Sequence, residues 1–179
     1  MSFSTNIAST WRKADELLFQ TEHAGNVKMA TWNSNHLTDK KTEHIAWYIC
    51  ATQIDIMFIQ DTRLTPAMYK SISYKFKNLL GGDTFVVSTI RPHSNCTVGG
   101  QVVIINSTLR NKIDGLWCDK TGLGLAMAVT IDKSGSKLQV LSTYWPAKPC
   151  DKDSGGLHNA TIQALNNTKD PRMYQLWRL

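Results

Sequence analysis

The sequence predicts one domain with a layered α/β or α+β sandwich fold. Two observations support this prediction: strand and helix patterns alternate in the first half of the chain, and antiparallel strands follow them. The length of 179 residues is typical of one domain, and 42% hydrophobic with 19% charged residues is typical of globular proteins.

The alternating part begins with a strand at residues 27–33, VKMATWN. Residues 39–52 place apolar side chains at helical spacing after a charged first turn. Residues 55–60, DIMFIQ, are a continuous apolar run, which is typical of a strand covered on both faces. A second helix is predicted to begin at Thr65-Pro66 and to end before Gly81, because these residues are typical of an N-cap, a first helical turn and a C-terminus.

The patterns in the following part of the chain predict four strands, at 83–90, 99–106, 123–131 and 137–145. The last two are separated by a KSGS turn and are predicted to pair antiparallel. In 123–131 every second residue is apolar, which predicts one strongly apolar face. Helical patterns also occur in a predicted N-terminal extension, residues 1–26, and in the polar C-terminal part, at 10–23, 158–167 and 171–178.

The charge balance favours a polyanionic partner. Lys and Arg number 20 against 14 Asp and Glu, which gives a formal charge of +6. This excess suits nucleic acid, although a solvated basic surface has the same composition. The sequence shows no signal-peptide core and no apolar run long enough to span a membrane, so we expect an intracellular protein with no membrane partner and with the nucleus as one candidate compartment.

Several catalytic motifs can be set aside. The segment DKDSGG at 151–156 resembles the start of a calcium loop, but the twelfth position is Ile162 where that loop needs an acid. The sequence contains no G-x-x-x-x-G-K-[ST], H-E-x-x-H or G-x-S-x-G.

Polar side chains at strand ends form the candidate site. Asn33 and Asn35 follow the first strand, Asp61 follows the second, and Tyr144 lies near the end of the last. Polar groups at the same ends of neighbouring strands converge outside the sheet, where ligands bind. A carboxylate could hold Mg²⁺, and amide donors could bind phosphate oxygens without repelling them. Asn at a strand end is also ordinary turn chemistry, and this alternative stays open.

Four segments resemble the endonuclease/exonuclease/phosphatase superfamily. TWNSNHL at 31–37 and DIMFIQDTRL at 55–64 are similar to its W-N-x-[ND]-G-L and Q-E-T blocks. GGQVVIIN at 99–106 and LSTYWPAKP at 141–149 are similar to its G-G-[VA]-A-I-L-[IV] and N-x-Y-[AV]-P blocks. The resemblance is strongest to apurinic/apyrimidinic endonucleases and to endonuclease domains of non-LTR retrotransposons.

The resemblance implies Mg²⁺-dependent hydrolysis of a nucleic-acid phosphodiester, with DNA as the first candidate substrate and Mn²⁺ as the alternative metal. Asn33 would orient the phosphate and the attacking water, and Asn35 would lie in the outer shell of the metal. Asp61 would stand in place of the metal-binding glutamate, and Tyr144 would hydrogen-bond the phosphate or a catalytic side chain. Gly99 and Gly100 would be structural, and Trp32 is expected to pack in the core.

Two departures limit this expectation. Asp61 is one methylene shorter than glutamate, so its contact with a metal could become water-mediated. The later G-D-x-N and S-D-H blocks, including the water-activating histidine, have no match after Pro149. The resemblance therefore implies an incomplete domain at 27–179, a partial four-layer α/β/β/α sandwich consisting mainly of the first mixed sheet and its helices.

An incomplete domain is expected to have little or no activity alone. If most of the second sheet is lost, the inner face of the first would be exposed, which would favour self-association or pairing with the missing C-terminal half. Three alternatives stay open: a non-catalytic nucleic-acid-binding remnant, a phosphatase acting on a phosphoinositide or another small phosphate ester, and an assembly module.

Overall fold

The computed structural model describes residues 27–89, 99–118, 124–133 and 136–144. The predicted N-terminal extension and the helical patterns at 10–23, 158–167 and 171–178 lie outside these ranges. The described elements, in chain order, are β1 (Met29–Asn33), α1 (Asp39–Thr52), β2 (Ile56–Gln60), α2 (Pro66–Leu80), β3 (Phe85–Ser88), β4 (Gln101–Ile105), α3 (Ser107–Arg110), β5 (Ile113–Cys118), β6 (Ala126–Lys133) and β7 (Ser136–Thr143).

The strands form two sheets. The first is mixed, with the order β1-β2-β4-β3, where β1 pairs parallel to β2 and the other pairs are antiparallel. The second is an antiparallel meander with the order β5-β6-β7. The predicted mixed α/β class is confirmed, and β5 and α3 are elements that the sequence patterns did not predict.

The two longer helices cover the outer face of the first sheet. Thr38 caps α1 by accepting a hydrogen bond from the Lys41 backbone N–H, and Thr65 caps α2 in the same way from Met68. Apolar residues of both helices, among them Ile45, Ile72 and Phe76, pack with the outward-facing residues of β2 and β4 in one buried cluster. Both helices have the predicted bounds, α1 from its apolar spacing and α2 from Thr65-Pro66 and Gly81.

The inner face of the first sheet packs against the second sheet. Phe58 of β2 and Val103 of β4 lie in one buried cluster with Met127, Val129 and Ile131 of β6. The expectation of an exposed inner face is therefore wrong, because the apolar face predicted in 123–131 belongs to the second sheet and covers the first. The described fold is thus a three-layer α/β/β arrangement, which matches the predicted sandwich without its fourth layer.

Among the strands that the structure describes, β1 lies at an edge of the first sheet and is exposed. Four of its five residues are exposed, and its Trp32 is 40% exposed. The Trp32 ring contacts Tyr48 of α1 edge to face, with ring centroids 5.8 Å apart. The expectation that Trp32 packs in the core is wrong, because among the described strands β1 has a neighbour on one side only, and the Trp32 ring lies against the exposed Tyr48. No helix in the described ranges is long and apolar enough to cross a membrane.

We expect Phe58→Ala to lower the free energy of unfolding by about 3–5 kcal/mol, because it opens a cavity between the two sheets. Urea denaturation followed by circular dichroism measures this change. The matched control is Tyr74→Ala, because Tyr74 of α2 is 69% exposed and the loss of its ring is expected to leave the denaturation midpoint unchanged. Equal destabilisation by the two changes would contradict the packing of the sheets against each other.

Candidate functional site

The segment after β1 continues to pair with the segment after β2. The backbone N–H groups of Ser34, His36 and Leu37 donate to the carbonyls of Gln60, Asp61 and Thr62 at 2.8, 2.8 and 3.0 Å. On the other side, the Lys41 ammonium donates to the carbonyls of residues 34, 35 and 36 at 2.6, 3.0 and 3.1 Å. The first helix therefore holds the loop that carries Asn35.

Backbone strain is concentrated at these strand ends. In the described ranges, five residues other than glycine have positive φ: Asn35, His36, Gln53, Asp61 and Arg63. Gln53 is the C-cap of α1, and the other four lie in the two paired segments after β1 and β2. A side chain in this region costs about 1–3 kcal/mol and persists where the surroundings impose it, which is frequent at functional sites.

Three carboxamides form a row on the inner face of the first sheet. Asn33 pairs with Gln60, and Gln60 pairs with Gln101 on the next strand. The Gln60 amide donates to Ser142 Oγ and the Thr143 carbonyl at 3.2 and 2.8 Å, and Ser142 Oγ donates to Gln101 Oε1 at 2.8 Å. These bonds join the two sheets beside the candidate site and fix the end of β7, where Tyr144 follows.

Asp61 is a buried carboxylate with four hydrogen-bond donors. Arg63 donates from Nε to Oδ1 at 3.1 Å and from Nη2 to Oδ2 at 2.8 Å. The Gly99 backbone N–H donates to Oδ1 at 2.8 Å, and the Tyr144 side chain supplies a further hydrogen bond. Only 4% of the Asp61 side chain is exposed, against 30% of the Arg63 side chain. The ion pair therefore has its anion inside and its cation at the surface.

The pKa of Asp61 lies below its usual value. Burial by itself raises the pKa of this carboxyl, but the hydrogen bonds from Arg63 and Gly99, the charge of Arg63 and the hydrogen bond from Tyr144 outweigh that effect. The same ion pair raises the pKa of Arg63. Asp61 is therefore ionised at neutral pH, and its charge is compensated within the protein.

The predicted site residues are connected through Arg63. Its Nη2 donates to Asn35 Oδ1 at 2.7 Å as well as to Asp61, and Asn33 Oδ1 accepts the Asn35 backbone N–H at 3.1 Å. Asn35, Asp61 and Tyr144 thus share one network, and Asn33 joins it through Asn35. Sequence reasoning did not assign a role to Arg63, although the DTRL segment places a cation two residues after the acid.

Two consecutive glycines are required beside Asp61. Gly99 and Gly100 have φ values of 99° and 83°, a region that other residues rarely adopt. A Cβ on Gly100 would lie 2.8 Å from Thr62 Oγ1, and one on Gly124 would lie 2.6 Å from the Gly100 Cα. The close approach of these segments brings the Gly99 N–H to the carboxylate.

Solved structures similar to this chain include an endonuclease/exonuclease/phosphatase family protein, a 3′ phosphatase and an AP endonuclease. An endonuclease/exonuclease/phosphatase family protein from Leptotrichia buccalis C-1013-b is 17% identical with a TM-score of 0.56, covering 82% of this chain and 63% of that chain. The 3′ phosphatase NExo from Neisseria, bound to product DNA hairpin, is 16% identical with a TM-score of 0.54, covering 80% and 52%. The AP endonuclease LMAP from Leishmania major is 17% identical with a TM-score of 0.52, covering 66% and 40%.

These similarities show the fold, and it is the fold that the resemblance of the sequence implied. The chain spans less than two thirds of the length of each of these three structures. No protein-family model matches the sequence, and no curated protein matches it.

We expect Asp61→Asn to lower the free energy of unfolding at pH 7 by about 2–3 kcal/mol, because hydrogen bonds to a charged group contribute about 1.5–3 kcal/mol each. The depressed pKa of Asp61 makes this contribution fully present above the unfolded pKa of about 3.9, and it is lost as pH falls toward the lower folded pKa. The two proteins should therefore converge in stability in acid.

Urea denaturation at pH 7 and pH 3 measures both effects. The matched control is Asp83→Asn, whose carboxylate is 86% exposed and lies 3.4 Å from Arg110, so its removal should change stability little at either pH. A constant difference between wild type and Asp61→Asn across this pH range would contradict the depressed pKa.

Proposed function

We propose that this chain carries the phosphate-binding part of a nuclease-type domain that acts on the phosphodiester backbone of nucleic acid. The observation that supports the proposal best is the strained, hydrogen-bonded site at the ends of β1 and β2, on a fold shared with DNA-processing enzymes. Two of the strained residues are accessible to a ligand, since Asn35 is exposed and Arg63 is partly exposed. A binding role accounts for both its location and its polarity.

The charge of the chain favours nucleic acid over a small phosphate ester. A net charge of +6 attracts a polyanion at long range, and neutralised phosphates release counterions. We assign Asn33 and Asn35 to phosphate binding through their amide donors, since an uncharged donor does not repel an anion. Tyr144 is assigned the role of holding Asp61 in place, since its side chain hydrogen-bonds that carboxylate.

The described residues do not fit the magnesium or manganese ion that the fold family implies. Both carboxylate oxygens of Asp61 accept hydrogen bonds, and a guanidinium nitrogen lies 2.8 Å from Oδ2. Magnesium needs oxygen ligands at about 2.0–2.1 Å in octahedral geometry. No group of three or more His, Cys, Asp or Glu side chains in the described ranges is arranged to hold a metal. The expected metal-site roles of Asp61 and Asn35 are therefore not part of this proposal, because both side-chain acceptors are engaged by Arg63.

Consequently, we expect the isolated chain to bind nucleic acid and to hydrolyse it slowly or not at all. Supercoiled plasmid incubated with the protein in Mg²⁺ or Mn²⁺ should stay supercoiled, as it does with the Asp61→Ala variant. Robust nicking by the wild type that disappears in Asp61→Ala would overturn this expectation and would assign Asp61 a catalytic role.

A non-catalytic nucleic-acid-binding function is the second candidate. The ion pair between Asp61 and Arg63 favours it, because the carboxylate is already bound to the guanidinium. The two candidates differ in what Mg²⁺ does. A binding module retains nucleic acid equally in EDTA and in Mg²⁺, whereas a hydrolase that gains a metal through residues outside the described ranges shows turnover in Mg²⁺ alone.

A further inference from the structure

We propose that the guanidinium of Arg63 occupies the place of a metal ion in this site and binds a phosphate oxygen of the nucleic-acid backbone directly. This inference rests on the proposed function, because it names the group that contacts the phosphate. The strand-end pattern in the sequence did not identify Arg63. The inference follows from which hydrogen-bond donors and acceptors of the site are already bound within the protein.

The acceptor capacity of Asp61 is fully used. An ionised carboxylate offers about four lone-pair positions. Arg63 donates hydrogen bonds to two of these positions, the Gly99 backbone N–H donates to one, and the Tyr144 side chain donates to one. A metal cation that approached Asp61 would have to displace the guanidinium. Before that displacement, the positive charge of the guanidinium would repel the cation. Arg63 therefore supplies the positive charge that compensates Asp61.

The guanidinium is held in one orientation with one side unused. Its five N–H groups comprise one on Nε and two on each terminal nitrogen. Nε and Nη2 donate to Asp61 and Asn35, while Nη1 makes no hydrogen bond with any described residue. Because 30% of the Arg63 side chain is exposed while the carboxylate behind it is buried, the pair presents its positive end to solvent.

The two carboxamides present donors in the same way. Asn33 Oδ1 accepts the Asn35 backbone N–H, and Asn35 Oδ1 accepts Arg63 Nη2. Neither Nδ2 group donates to an acceptor within the described ranges, and both residues are exposed. The acceptors of the site thus bind internal partners, and its unused groups are donors. A cluster of fixed donors beside a guanidinium favours binding of an anion. Phosphate is the anion proposed, because its oxygens can accept parallel hydrogen bonds from the N–H groups of a guanidinium.

The test measures binding of a short fluorescein-labelled DNA duplex by fluorescence anisotropy, with the full chain, in EDTA and in Mg²⁺ at several salt concentrations. Wild type is expected to bind without Mg²⁺. Arg63→Gln should weaken binding by about tenfold. It should also make the negative slope of log K against log salt concentration shallower by about 1, as expected for one lost phosphate contact.

The matched control is Arg110→Gln. Arg110 also pairs with an aspartate, at 3.4 Å, but it follows β4 at the opposite end of the sheet. This change should leave the affinity within about twofold, because an arginine outside the phosphate contacts contributes only through long-range charge. Equal weakening by both changes would overturn the inference, since it would show a general charge effect.

A second measurement examines the metal directly, by electron paramagnetic resonance of Mn²⁺ titrated into each protein. The wild type should leave Mn²⁺ free, and Arg63→Gln should bind it more tightly, because the Asp61 oxygens are then released. Mn²⁺ binding by the wild type that Asp61→Asn abolishes would overturn the inference.

Arg63→Lys tests the inference if Arg63→Gln does not fold. Lysine keeps the charge beside Asp61 but lacks the second arm, so the duplex should bind several-fold more weakly and still independently of Mg²⁺. Wild-type affinity in the folded Arg63→Lys variant would overturn the inference.

The outcomes separate the inference from the proposed function. Duplex binding that requires Mg²⁺ and survives Arg63→Gln would overturn the inference and leave the proposed function intact. Failure of the wild type to bind DNA in either EDTA or Mg²⁺, even at low salt, would overturn both.

Discussion

The carboxylate of Asp61 is the group around which the strand ends of this molecule are arranged. A charge removed from water must be paired and hydrogen-bonded, because an unpaired buried ion costs several kcal/mol. Its four donors come from the segment after β2, the loop before β4 and the residue after β7. One carboxylate therefore fixes the relative positions of three chain segments, including parts of both sheets.

The inter-sheet hydrogen bonds make that arrangement possible. Gln60 and Gln101 occupy the last inner-face positions before the core ends, and both reach Ser142 across the gap between the sheets. Gln101 is fully buried, so its amide requires these partners. Because β7 is anchored there, Tyr144 emerges beside Asp61. The apolar core between the sheets thus ends in a polar layer that supports the candidate site.

The strain at Asn35, His36, Asp61 and Arg63 follows from the same geometry. Two adjacent parallel strands end at the same level, and backbone N–H groups of the segment after β1 continue to donate to carbonyls at and after the end of β2. Lys41 stabilises one of these segments by donating to three carbonyls. These contacts fix the backbone of the two segments, and the side-chain oxygens of Asn33 and Asn35 bind within the site, so that the Nδ2 groups of both residues are the ones without an acceptor among the described residues.

The sequence by itself determined the elements whose signals are local. The apolar spacing of residues 39–52, the Thr65-Pro66 cap and the apolar run of β2 identify α1, α2 and the central strand, because capping and periodicity act over a few residues. The candidate residues at strand ends were also identifiable. Only the tertiary structure decided that β6 covers the first sheet and that Arg63 saturates Asp61, because these contacts join distant segments or depend on left-handed backbone that no local pattern specifies.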